Sequence, residues 1–180
     1  MKLVVVCGPS GVGKTTLVEQ MVAELKARGQ RVSVIKHAHQ RFDIDRPGKD
    51  SWRHREAGAT EVLVASSQRL ALLREYEVEG LPTLHQLVAE LSPVDLVLVE
   101  GFKHSAWPKV EVWRAALGQA PLYPDDPFVT TVATDTPDDL PEPTARRVFC
   151  LSAAAALVSH LMDTADRYVY IDPTRSQAHG

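Results

Sequence analysis

Short apolar runs and helically spaced apolar positions alternate along this chain, and they predict its elements in order. Leu3-Val4-Val5-Val6-Cys7 is a largely β-branched run stopped by Gly8, the pattern of a strand buried on both faces. From Lys14 to Arg28 the apolar residues Leu17, Met21, Val22 and Leu25 recur at helical spacing, with Gly29 as the stop signal. Val32 to Ile35 reads as a second strand, and a short helix capped by Asp50 or Ser51 ends near Gly58. Val62 to Ala65 and Leu70 to Leu73 read as strands around a polar turn at Ser66-Ser67-Gln68. A helix enters at Pro82-Thr83 and carries Leu84, Leu87, Val88 and Leu91 on one face. Leu96-Val97-Leu98-Val99-Glu100 is an apolar strand ending in an acid. Strands are also expected over Val110 to Trp113, Phe128 to Ala133 and Val148 to Leu151. An Ala-rich helix to Met162 follows, with Pro-rich connections before and between the later strands.

Strands alternating with helices predict a mostly parallel central sheet covered on both faces, a three-layer α/β domain. The 180 residues suffice for one well-buried domain, expected over 1–172, with 173–180 as a polar tail. No internal repeat is evident.

"GPSGVGKT", Gly8 to Thr15, fits the phosphate-loop pattern G-x-x-x-x-G-K-[ST] between a strand and a helix, as its mechanism requires. Gly8, Ser10, Gly11, Val12 and Gly13 would turn backbone N–H groups around phosphate oxygens, at a helix start whose dipole favours anions. Lys14 would reach the β- and γ-phosphates, Thr15 would hold Mg²⁺, and Thr16 would extend the cradle. The domain is therefore expected to be of the phosphate-loop NTPase type. A magnesium nucleotide site calls for a second acid at a neighbouring strand end. Glu100 stands there, to hold the metal's surroundings or position a water, with Gly101 permitting close approach. For the base, "TTVATD" ends at Asp135, where an acid would accept guanine N1–H and N2–H. Ser152-Ala153 follows the next strand and would offer a backbone N–H to O6. Ala133 stands where guanine-binding motifs carry a Lys that packs on the base.

Net charge is −3, with 44% hydrophobic and 24% charged residues, which excludes the broad basic field of nucleic-acid or anionic-membrane binders. The basic residues concentrate instead in "IKHAHQRFDIDRPGKDSWRHREAGA", Ile35 to Ala59. Loops after parallel strands share one sheet edge, so this cluster is expected on the nucleotide's rim. Arg53 and Arg55 suit planar recognition of a second phosphate or of a partner's carboxylates. On a helix they cannot both point the same way. Asp43 and Asp45 would reach Mg²⁺ or orient the attacking water. His37 and His39 alternate with no thiolate beside them, which argues against a dedicated transition-metal site. Cys7 and Cys150 form no disulfide framework and read as reduced core thiols. No apolar run approaches the roughly eighteen residues of a membrane span, and Leu3 to Cys7 is too short for a signal sequence. A cytoplasmic protein is expected.

"CGPSGVGKTTL", the long basic motif and "DLVLVEGFK" together resemble the molybdopterin-guanine dinucleotide biosynthesis adaptor family, MobB, firmly over Leu3 to Lys103. That resemblance implies a homodimeric protein that binds GTP with Mg²⁺ and hydrolyses it weakly. It also implies assistance to the guanylyltransferase that joins GMP to molybdopterin. The second anion at Arg53 and Arg55 would be the molybdopterin phosphate or the partner enzyme. Gln40 departs from the family pattern, which often has a second His there. Two alternatives use the same loop. A small-molecule kinase would need lid arginines, for which the late pair Arg146-Arg147 lies in linker-like sequence. A nickel-insertion GTPase would usually add a Cys- or His-rich site.

Overall fold

Six strands pair in the order β2-β5-β1-β6-β7-β8, and every pairing is parallel. The strands are β1 (Lys2–Cys7), β2 (Val32–Lys36), β5 (Leu96–Glu100), β6 (Lys109–Trp113), β7 (Val129–Thr134) and β8 (Arg147–Cys150). The structure is a computed structural model and describes residues 1–38, 42–77, 80 and 82–172. Within the span expected to form one nucleotide-binding domain, packing makes two compact units, Met1–His37 with His85–Gly180, and Ala38–Leu84. The expected tail, 173–180, lies outside the described residues, as do His39 and Gln40.

The centre of the first unit is built from the apolar strands β1 and β5. Leu3 to Cys7 and Val97 to Val99 are fully buried, as strands covered on both sides must be. One face packs Val4, Val6, Leu98, Val110, Val112 and Ala133 against helices α1 (Lys14–Ala27) and α4 (Ala154–Asp163). Helix α1 presents Leu17, Val18, Met21 and Leu25 to this core. Val18 belongs to that buried stripe where the spacing favoured Val22, which packs at its margin. Burying each such side chain contributes about 1.5–3 kcal/mol. Gly29, at φ +75°, ends α1 with its N–H on Lys26 O at 3.0 Å, while Gln30 N–H reaches Leu25 O at 3.0 Å. This is the paired closure that a left-handed residue after a helix makes possible.

Strand order reverses at β1: β5 and β2 build outward on one side, β6 to β8 on the other. The loop after β1 therefore opens at the switch point, where parallel sheets bind ligands. Helix α3 (Leu84–Ala89) stops two residues before Leu91, the last expected position. Leu91 N–H bonds Val88 O at 3.1 Å in a tightened last turn, and Pro93 then bars continuation.

The second unit contains α2 (Asp50–Glu56) and the antiparallel hairpin β3 (Glu61–Ala65) with β4 (Leu70–Arg74). These two strands form their own sheet. Their antiparallel pairing follows from connection length: the turn from Ser66 to Arg69, closed by Ser66 N–H on Arg69 O at 2.8 Å, can only reverse the chain. A parallel neighbour would need a crossover of a dozen or more residues. The α2 N-cap is Lys49, with no side-chain cap bond. Ser51, one of the two expected caps, donates instead to Asp45 at 2.8 Å.

Candidate functional site

The loop between β1 and α1 is shaped by three glycines with positive φ: Gly8 at 135°, Gly11 at 77° and Gly13 at 104°. Gly8 is sterically obligatory, since a Cβ there would lie 2.2 Å from Val112 O on β6. Val12, 1% exposed, anchors the loop in the core, leaving Ser10, Gly11, Thr15 and Thr16 at the surface. Lys14 Nζ donates to Gly8 O at 2.9 Å and Pro9 O at 2.7 Å, so its ammonium is held across the loop's mouth. Burial lowers the Lys14 pKa, with the Glu100 carboxylate opposing that shift. A bound polyphosphate would favour the charged form further.

Glu100 ends β5 and is only 7% exposed. Its Oε1 accepts the Thr15 hydroxyl at 2.7 Å, and Lys36 Nζ from the end of β2 lies 3.4 Å away. Lys36 also approaches Thr15 Oγ1 at 3.4 Å. Lys36 and Glu100 end β2 and β5, Thr15 lies in the first turn of α1 after β1, and the sheet order β2-β5-β1 makes these positions neighbours. Two hard oxygen donors side by side suit Mg²⁺ and not a thiophilic metal. Gly101, at φ +110°, does permit a close approach, but by the protein itself: a Cβ there would lie 2.8 Å from His37 Cβ. The His37 ring is thereby packed against Phe102, centroids 5.1 Å apart. Among the described residues no cluster of three His, Cys, Asp or Glu could hold a metal ion.

Asp135 follows β7 and is joined by Arg114, which follows β6, with Nη1 3.5 Å from Oδ2. Arg114 also donates from Nε to Val12 O at 3.0 Å. Sequence reading passed over Arg114, although it follows an apolar strand just as Asp135 does. Ser152 lies after β8, its hydroxyl 3.0 Å from Cys150 Sγ, a contact that lowers the Cys150 pKa. Ala153 N–H is already donated to Cys150 O at 2.8 Å, so an amide offered to a base here is that of Ser152. Cys7 is the buried thiol expected, pushed up to about 12 first by burial and then by Glu111. Cys150 is half-buried, not a core thiol.

In the second unit Arg55 and Arg53 do diverge. Arg55, 16% exposed in its side chain, pairs with Asp43 at 2.9 Å, Asp45 at 3.3 Å and Glu75 at 2.8 Å. Its contact holds the Asp43 carboxyl below the usual range. Asp43 and Asp45 are thus engaged within this unit. Arg53, 71% exposed, makes a 3.9 Å contact to Asp50. Arg146, in linker-like sequence, straps a loop instead: Nε donates to Val129 O at 2.6 Å and Nη2 to Asp126 O at 3.2 Å.

Residues 3–135 match the family model described as molybdopterin guanine dinucleotide synthesis protein B. The chain is 44% identical over 134 residues to the molybdopterin-guanine dinucleotide biosynthesis adapter protein of Escherichia coli (strain K12), covering 73% of this chain and 77% of that one. It is 44% identical over 133 residues to the adapter protein of the same name from Haemophilus influenzae, covering 73% and 74%. Its fold matches the crystal structure of a MobB protein homolog from Bacillus stearothermophilus, with a TM-score of 0.66 and 28% identity over 92% of this chain and 99% of that one. Bacillus subtilis MobB superposes with a TM-score of 0.72 at 22% identity, over 95% and 100%. No described helix is long and apolar enough to cross a membrane. With its phosphate loop, its parallel sheet and these relatives in agreement, the chain belongs to the molybdopterin guanine dinucleotide synthesis protein B, or MobB, family.

Proposed function

We propose that this chain is a cytoplasmic GTP-binding adaptor, active as a homodimer, that assists a guanylyltransferase in attaching GMP to molybdopterin. Family membership supports the pathway, and the names of the relatives supply the adaptor role. The observation that carries nucleotide binding is the arrangement of Lys14 over the glycine loop beside the Thr15–Glu100 hydrogen bond of 2.7 Å. Lys14 and the amides of Gly11 to Thr15 would neutralise the β- and γ-phosphates. Thr15 Oγ1 and the Glu100 carboxylate would hold Mg²⁺, which when bound supplies charge against the phosphate oxygens. Glu100, fixed by Thr15 and Lys36, would also orient a water toward the γ-phosphate. Asp135 would accept guanine N1–H and N2–H, and the Ser152 amide would face O6. Slow hydrolysis accords with Asp43 and Asp45 being engaged by Arg55. Arg53, the solvent-facing arginine of the pair, would meet a partner's carboxylates or the molybdopterin phosphate.

The test is formation of the guanylylated cofactor by purified guanylyltransferase from molybdopterin and Mg²⁺–GTP, with this chain at limiting concentration. The reading predicts faster or more complete product formation with the chain present, and less stimulation by Arg53→Ala. Identical progress curves with and without the chain would remove the adaptor role.

A further inference from the structure

The guanine-reading end of the site lacks the lysine that would pack on the base. Ala133 occupies that position, is fully buried, and has no side chain to extend. The neighbouring strand supplies a cation instead. Strands β6 and β7 pair with Trp113 opposite Thr134, so Arg114 and Asp135, the next residues on each, emerge side by side. The Arg114 guanidinium spans two parts of the site. Nε donates to Val12 O of the phosphate loop at 3.0 Å, and Nη1 lies 3.5 Å from Asp135 Oδ2. Nη2 lies 3.5 Å from where a Cβ on Gly13 would stand, so the group lies along the glycine backbone. Both Arg114 and Asp135 keep 40% of their side-chain surface open to solvent, which leaves a face for a ligand.

We propose that Arg114 is a positioning and specificity-determining residue for the base of a guanine nucleotide, an inference that rests on the reading of Asp135 given above. Its bond to Val12 O fixes the base side of the site to the phosphate side. Its contact with Asp135 orients the carboxylate to accept two N–H groups in one plane. Its planar guanidinium can lie against a purine face while its edge keeps both contacts, which a lysine ammonium cannot do. The strap thus reaches the base from β6 and substitutes for the missing side chain on β7.

The experiment measures affinities of wild type, Arg114→Ala, Arg114→Lys and Asp135→Asn for GTP, ATP, XTP and inorganic tripolyphosphate, all with Mg²⁺. Arg114→Ala should lower GTP affinity about tenfold, the scale of one charge-assisted contact. ATP, which shares the purine face but not the contacts to Asp135, should lose less, so the GTP-to-ATP ratio falls about threefold or more. Tripolyphosphate should bind within about twofold of wild type, showing that the phosphate loop is intact. Arg114→Lys, which keeps the charge but not the plane, should give an intermediate ratio. A ratio unchanged in Arg114→Ala, or tripolyphosphate affinity falling in parallel with GTP, would overturn the proposal. The reading beneath it has its own arm. Asp135→Asn should exchange GTP for XTP, because the amide can donate to the xanthine 2-oxo group. Wild type without a guanine preference, or Asp135→Asn without that exchange, overturns the Asp135 reading and this inference together. A guanine preference that inverts in Asp135→Asn but survives in Arg114→Ala overturns the role of Arg114 alone.

Discussion

The two ends of the site, proposed to take the phosphates and the base, are built in opposite ways. At the phosphate end, one continuous segment from Gly8 to Thr15 supplies the cradle, and its cation and hydroxyl are already bonded to fixed partners. Glu100 there is nearly buried. At the base end, Arg114, Asp135 and Ser152 follow three different strands, and the Arg114–Asp135 pair is 3.5 Å long and substantially exposed. Polyphosphate is common to all nucleoside triphosphates, so a rigid, contiguous loop suffices for it. Discrimination of a base needs several groups converging on one edge, and parallel strand ends provide adjacent attachment points for them. Affinity is therefore expected to reside mainly at the first end and selectivity at the second.

The largest expected effect is that of Lys14→Ala. Its ammonium spans the loop mouth, and charge-assisted contacts of this kind contribute about 1.5–3 kcal/mol each. GTP, ATP and tripolyphosphate should all lose affinity by roughly tenfold to a hundredfold, with the GTP-to-ATP ratio preserved. Unchanged affinity in a folded variant, measured by calorimetry, would break the assignment of the phosphate end.

Glu100→Gln is expected to act more narrowly. It keeps the shape that meets Thr15 but removes the charge facing Lys36 and a bound Mg²⁺. Steady-state hydrolysis should fall about tenfold while GTP affinity changes less than about threefold. Equal turnover in variant and parent would reduce Glu100 to a strand-end acid hydrogen-bonded to Thr15.

The same contrast governs what could be read from the chain alone. The phosphate loop is legible because its chemistry is contiguous: glycines, lysine and threonine at set spacing after a β-branched run. The sheet was legible for a related reason, since strands buried on both faces leave unbroken apolar runs such as Leu3 to Cys7. Arg114 was not, because its proposed role rests on β6 lying between β1 and β7, and strand order is not written in any local pattern. The hairpin of β3 and β4 shows the same limit. Its strands are evident in sequence, and the short turn makes their pairing antiparallel, yet no local pattern tells that they form a sheet apart from the six strands. The motif from Ile35 to Ala59 was read for charge, but its packing turned on pairing. Arg55 is locked by Asp43, Asp45 and Glu75, while Arg53 faces solvent.

The central claim, a magnesium-dependent guanine nucleotide site at the carboxyl edge of the sheet, is tested most directly by calorimetric titration of the wild-type chain with GTP and with ATP, each with Mg²⁺ and with EDTA. The account predicts that GTP binds at least about tenfold more tightly than ATP, and that chelating Mg²⁺ weakens both, since Asp135 acts on the base and Thr15 with Glu100 on the metal. Equal affinity for GTP and ATP, or GTP binding indifferent to EDTA, would contradict it.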